Sequence, residues 1–241
     1  MYVIRGDDRE TIGSMLVSDA APRLLRLDVA GLTIDVLDPT VDISRSAASA
    51  AEADFVGVVS VWLDSIDDRA PIQDALLVGD ARLDGYLVTE SVPVPYPARD
   101  WSDGEPTPGP VLLTLFTQPD GMADDEFFAY WHGSHTPLSL EIHPLWCYVR
   151  NVVVRRLTLG APPWRGIVKE TFRSADDLTD PMRLFSGGGD PERMKANARR
   201  SLEDGSRFLD LDGGVQTYVL RETIFRTFDT LPKRATAPKM P

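Results

Sequence analysis

The chain has 241 residues, 43% of them hydrophobic and 26% charged, which is enough apolar material for a packed core in one large or two small domains. Its net charge of −12 repels phosphate backbones and anionic lipid, so neither nucleic acid nor a membrane surface is expected as a partner. One cysteine, Cys147, excludes an intrachain disulfide and points to a reducing cytoplasm; the start, MYVIRGDDRETIG, lacks a signal-peptide layout, and no apolar run nears the ~20 residues that span a bilayer.

The apolar run MYVI near the start is long enough for one strand. Ile12, Leu16, Ala20, Leu24 and Leu27 fall at helical spacing and predict a helix over Arg9 to Leu27, with Pro22 as a kink. Alternation over Leu32 to Leu37 predicts a half-buried strand. The Ala/Ser stretch Ser44 to Ala53 shows no core face and reads as a loop or a short helix. A strand over Phe55–Leu63, a helix over Arg69–Val78 and a strand over Tyr86–Val94 complete a β-α-β-β-α-β order. Pro93 to Pro110 then holds six prolines and two glycines, which break helix and strand alike, so Pro95 to Gly109 is read as a linker.

The same order follows again. Strands are predicted over Val111–Phe116, Cys147–Val154, Ile167–Phe172 and Val215–Phe225, with helices over Ala123–Leu140 and Pro191–Leu209. Asp124-Asp125-Glu126 suits a helix N-terminus, where carboxylates favour the exposed amides. The tail after Thr230 is rich in proline and lysine and is expected to lie on the surface or against a neighbour.

The duplication is visible in the letters. GVVSVWLDSIDD (Gly57–Asp68) and GIVKETFRSADD (Gly166–Asp177) match at an offset of 109, and Tyr86/Glu90 match Tyr218/Glu222 at an offset of 132. A β-α-β-β-α-β unit is a four-stranded antiparallel sheet carrying two helices on one face, which leaves its other face apolar and in need of cover. The expectation is therefore an α+β protein: two tandem ferredoxin-like repeats packed sheet to sheet as an intramolecular barrel of the dimeric α/β type. Residues 1–94 form the first repeat, 95–109 the linker, 110–228 the second repeat and 229–241 a tail.

All three histidines, His132, His135 and His143, lie in the second half. On the predicted helix, Phe127, Trp131, Ser134/His135 and Leu138 form a stripe toward the sheet. Desolvation among aromatics lowers a histidine's pKa and keeps it usable as a base near neutrality. The competing reading is a core histidine satisfied by a backbone carbonyl. His132 and His135 stand three apart, but neither HExxH nor CxxC is present, so no metal site is expected. His143 reads as a turn residue in Glu141-Ile-His-Pro144. On the next strand, alternation puts Tyr148 and Arg150 on one face and Cys147, Val149 and Asn151 on the other. Glu222 and Tyr218 repeat Glu90 and Tyr86, which favours a shared structural role over catalysis. The Gly187-Gly-Gly189 run lacks the motifs of a nucleotide site and reads as a loop.

Phe127-Phe-Ala-Tyr-Trp131-His-Gly-Ser-His135-Thr-Pro-Leu138 resembles the helix signature of EthD-domain proteins, and Tyr148-Val-Arg-Asn151 and Arg165-Gly-Ile-Val-Lys-Glu-Thr-Phe172 follow in the family's order. The resemblance covers roughly Pro110 to Phe228. It implies a ferredoxin-like fold of the dimeric α/β barrel group. Members are associated with ether degradation, and related barrels act without cofactors on aromatic and polyketide-like compounds as isomerases, cyclases, decarboxylases or monooxygenases. What carries over is His135, with Trp131, Tyr148 and Asn151. Aligning Pro22 with Pro137, at an offset of 115, puts Ala20 opposite His135 and Leu16 opposite Trp131, so the first half lacks the site.

The expected function is a cofactor-free enzyme in which His135 is the catalytic acid/base. Trp131, Phe127 and Phe128 wall an apolar pocket, His132 or Tyr148 holds a substrate oxygen, and Asn151 completes the substrate contacts. The chemistry would be isomerase, lyase or oxygenase in type, on a lipophilic small molecule, in a monomer with an internal pseudo-dimer or in a homodimer. The rival is a non-catalytic carrier or accessory protein for a hydrophobic metabolite. An enzyme needs a second polar group lined up with His135, whereas a carrier tolerates a wholly apolar cavity.

Overall fold

The computed structural model describes residues 1–43, 53–211 and 213–228; most of the Ala/Ser stretch and the C-terminal tail lie outside the described residues. In chain order, β1 (Tyr2–Arg5) leads into α1 (Arg9–Met15), which runs through a π turn (Leu16–Ala20) into α2 (Ala21–Leu25). Then come β2 (Gly31–Leu37), β3 (Phe55–Trp62), α3 (Arg69–Leu76) and β4 (Arg82–Val94). The second half repeats the order with β5 (Val111–Phe116), α4 (Asp124–Tyr130), a π turn (Trp131–His135), α5 (Thr136–Ile142), β6 (Cys147–Arg156) and β7 (Gly166–Thr171). Two short helices not foreseen in the sequence, α6 (Ala175–Thr179) and α7 (Pro181–Leu184), precede α8 (Pro191–Gly205) and β8 (Val215–Arg226).

All strands pair antiparallel in one closed eight-stranded barrel, ordered β1-β3-β2-β8-β5-β7-β6-β4. The two halves join edge to edge, through ladders β2–β8 and β4–β6, so each covers the strand edges of the other and no edge is left open among the described strands. The interior is filled from both halves. Phe55 and Tyr218 stack with ring centroids 3.6 Å apart, with Leu113, Leu115 and Ile167 around them. Outside the barrel, separate apolar layers sit under the helices of each half. Among the described residues no helix is long and apolar enough to cross a membrane.

The helices of the two halves correspond residue by residue. α1, its π turn and the start of α2 lie 115 positions before α4, its π turn and the start of α5. The cause is local. Pro22 and Pro137 have no N–H to give the carbonyl four residues back, and the ladder ahead of each widens: Ala21 N–H reaches Leu16 O, and Thr136 N–H reaches Trp131 O. The extra residue also moves the buried stripe. Phe127 and Trp131 face inward as expected, but beyond the π turn the buried positions are Thr136, Ser139 and Ile142, and Leu138 is left half-exposed.

Candidate functional site

His135 closes the π turn, on the helix-covered side of the second half's sheet. Its Nδ1 lies 3.0 Å from Oδ2 of Asp204, near the end of α8, and Ser134 Oγ donates to the other oxygen of that carboxylate. A carboxylate only accepts, so Nδ1 carries the proton and Nε2 keeps its lone pair. The Asp204 side chain is 9% exposed, its two oxygens engaged by adjacent residues of one turn. Burial pushes the His135 pKa below the usual histidine value, against an opposing pull from Asp204, and His143 adds a further lowering. The ring is therefore neutral at pH 7. The Phe208 ring packs against it at 5.0 Å.

His135 lines a cleft of about 50 Å³ between helix and sheet, together with Glu170, Tyr148, Thr114, Trp131 and Phe208. Glu170 is the notable neighbour. It stands opposite Tyr148 in the β6–β7 ladder, and burial raises its carboxyl pKa, with His143 as the opposing influence. The cleft thus holds a neutral imidazole with a free nitrogen and a carboxyl group whose pKa burial raises.

Three residues singled out from the sequence meet here: His135, Trp131 and Tyr148. Trp131 is fully buried, edge-on to Phe116 at 4.9 Å. The Tyr148 hydroxyl is engaged with Thr136 and Trp131, and burial raises its pKa, so it serves as wall more than as donor. The other four do not join them. Phe127 packs behind Trp131 in the core. Phe128 lies beneath the Arg165 guanidinium, 4.9 Å away. His132 sits between Phe128 and Trp131 with Nε2 buried and unpaired, its pKa lowered by burial and by Arg150. Asn151 points into the barrel: strand residues three apart face opposite sides, so it cannot share a pocket with Tyr148. His143 ends α5 as a turn residue, with its Nδ1 2.9 Å from Leu184 O.

Two groups escaped the sequence reading. Asp204 is 69 residues from His135 and carries no local pattern that would mark it. Glu170 did leave a signal. In GIVKETF, alternation sends Val168, Glu170 and Phe172 to the helix-covered face, where a lone carboxylate among apolar residues calls for an explanation. Lys169 leaves the same signal on the interior face. Its ammonium is 2.8 Å from Asp35 and 2.7 Å from Glu222, and Tyr96 and Thr107 each donate to Glu222 at 2.8 Å. Among the described residues no group of three or more His, Cys, Asp or Glu side chains is placed to hold a metal ion.

With that geometry in place, comparison with known proteins adds the following. The model of the EthD domain matches residues 119–212, the segment that carries His135, Tyr148, Glu170 and Asp204. A search of the curated proteins finds no match. Among solved structures, one described as an anthrone oxidase-like protein aligns over 96% of this chain and 94% of its own, at 11% identity and a TM-score of 0.49.

Proposed function

We propose that the protein is an EthD-type enzyme that moves protons on a lipophilic, aromatic or polyketide-like small molecule, without metal or organic cofactor. The observation that carries this is the single cleft shared by His135, held by Asp204 with Nε2 free, and Glu170. Nε2 takes a proton from a carbon next to a carbonyl, and the Glu170 carboxyl group, when it holds its proton, donates a hydrogen bond to the carbonyl oxygen as that oxygen gains charge. The proton then returns from the imidazolium to a different carbon or to the oxygen, leaving an isomer and the original enzyme. General acid–base transfer of this kind is worth ~10²–10⁴ in rate. A carrier would have no need of a carboxyl group beside the imidazole, which weighs against the accessory reading.

The chemistry belongs to residues 110–228 in this reading, and residues 1–94 are a ferredoxin-like partner whose Ala20 and Leu16 stand where the second unit has His135 and Trp131. Residues 95–109 link the two units. The cleft as described holds a few waters, whereas a drug-sized ligand occupies roughly 300 Å³ or more. Leu209 separates it from an outer groove of about 530 Å³ lined by Met122 and Arg207, so substrate enters as Phe208 and Leu209 swing outward.

The test is deuterium incorporation into aryl ketones, followed by NMR. Wild type should exchange the hydrogens next to the carbonyl well above the buffer rate. His135→Ala should lose ~10²-fold or more with its melting temperature within a few degrees, and Leu209→Ala should lower KM. Exchange at the wild-type rate in His135→Ala would remove the proposal.

A further inference from the structure

The barrel has two seams between its halves, built alike and furnished differently. At the β2–β8 seam Asp35 stands in register with Glu222, and Lys169 reaches across the interior from β7 to both. At the β4–β6 seam the register partners are Asn151 and Glu90. Glu90 precedes Glu222 by the 132 residues of the Tyr86/Tyr218 match, and Ser60 precedes Lys169 by the 109 residues of the Gly57/Gly166 match. The ladders agree: Asp35 lies opposite Val58 on β3, Asn151 lies opposite Ile167 on β7, and Val58 and Ile167 are also 109 apart. One seam therefore has Glu, Asp and a lysine ammonium. The other has Glu, Asn and, in place of the lysine, a serine.

On the side where that lysine is missing there is a pocket. A cavity of about 380 Å³ is bounded by Ser60, Glu90 and Asn151 at its polar end and by Tyr2, Trp62 and Leu157 along its apolar sides. Asn151 is 1% exposed; its amide nitrogen reaches Ile167 O at 3.3 Å, and its Oδ1 has no partner. Trp62 hydrogen-bonds the Glu90 carboxylate, and its ring stacks on Phe228 at 5.6 Å. Other charged groups stand nearby, and Arg69 is itself part of the lining. Arg69 Nη1 donates to Ile66 O at 3.2 Å, Lys169 is held by Asp35 and Glu222, and the Met1 amine donates to Tyr86 O at 3.0 Å. Burial lowers the pKa of that amine to about 5, with Glu90 as the opposing influence. The Glu90 carboxyl group, its pKa raised by burial, and a buried amide oxygen without a partner thus lie at one end of a mostly apolar space.

We propose that this cavity binds small aromatic primary amines, the ligand's ammonium standing between Glu90 and Asn151 as the Lys169 ammonium stands between Glu222 and Asp35. An ammonium supplies three donors and satisfies both acceptors with charge-assisted bonds, while the ring lies along Trp62. The cavity shares no lining residue with the His135 cleft, and the inference does not depend on the acid/base site.

Isothermal titration of the full chain with phenethylammonium at pH 7, against 3-phenylpropionate and 2-phenylethanol, tests it. The amine should bind saturably and roughly tenfold or more tighter than either isostere, and Glu90→Gln should weaken it by a similar factor. Ser60→Lys, which brings its own ammonium to the seam, should abolish binding and raise the melting temperature. Equal binding of the carboxylate, or no saturable heat with the amine, overturns the proposal. So does unchanged affinity in a folded Glu90→Gln variant, and if that variant does not fold, the amine-against-carboxylate comparison on wild type decides.

Discussion

Replacing Lys169 by methionine tests the interior cluster most directly. The ammonium has 7% side-chain exposure, Asp35 none and Glu222 6%, so the scale for buried ion pairs applies and not that for surface bridges. Removing one partner of a buried pair costs about 3–5 kcal/mol. Here two carboxylates lose the cation they share, which places the expectation at the upper end. Because 1 kcal/mol moves the midpoint of a chain this size by roughly 2–4 °C, melting should fall by roughly 8–20 °C at pH 7. The pH dependence carries the sharper signature. In the wild type, burial raises the Asp35 pKa while Lys169, Tyr96 and Thr107 hold Glu222 low despite its burial. A carboxyl group with a raised folded pKa contributes stability that is full below its unfolded value and is lost as pH rises through the folded value. Without Lys169, both carboxyl groups fall in that class. Urea denaturation should therefore show the Lys169→Met deficit largest near pH 8 and shrinking steadily toward pH 5. A loss below about 1 kcal/mol, or a deficit that does not change with pH, would show that the ammonium is not the counterion of these two groups.

Two further outcomes follow from the site. His135 should titrate below the usual histidine value in NMR, and Asp204→Asn, which removes the group raising its pKa, should shift the midpoint lower still; an upward shift would contradict the assigned pair. A histidine with a lowered folded pKa costs stability as pH falls through the unfolded value toward the folded one, so this contribution is complete above about pH 6.5 and fades in mild acid. Trp131→Ala should cost about 3–5 kcal/mol in chemical denaturation, since the side chain is fully buried among Phe116, Phe127 and Phe128, and a loss under about 1 kcal/mol would place the indole outside the core.

Much of the architecture was legible because it is written in local periodicity. Alternation in GVVSVWL and GIVKETF, helical spacing from Phe127 to Trp131 and the proline-rich break at 95–109 depend on neighbours in the chain, and each element appears within a few residues of its expected place. The matching turns ahead of Pro22 and Pro137 have an equally local cause. Proline removes a backbone donor wherever it stands, and both helices answer with the same widened turn. That the first half has the turn without the histidine assigns the turn to proline and not to the chemistry.

The sequence by itself determined the β-α-β-β-α-β order of each half and the placement of every histidine in one half, since both follow from residue identity and short-range spacing, and it offered His135 as a candidate. Which groups meet His135 was decided only in three dimensions. Asp204 arrives from a helix 69 residues away, Glu170 shares the cleft from β7, paired on both sides, and Asn151 is carried to the other side of the sheet by the parity of a single strand. The pairing of Lys169 with Asp35, 134 residues distant, likewise exists only because the barrel closes and leaves a buried ammonium no water to turn to.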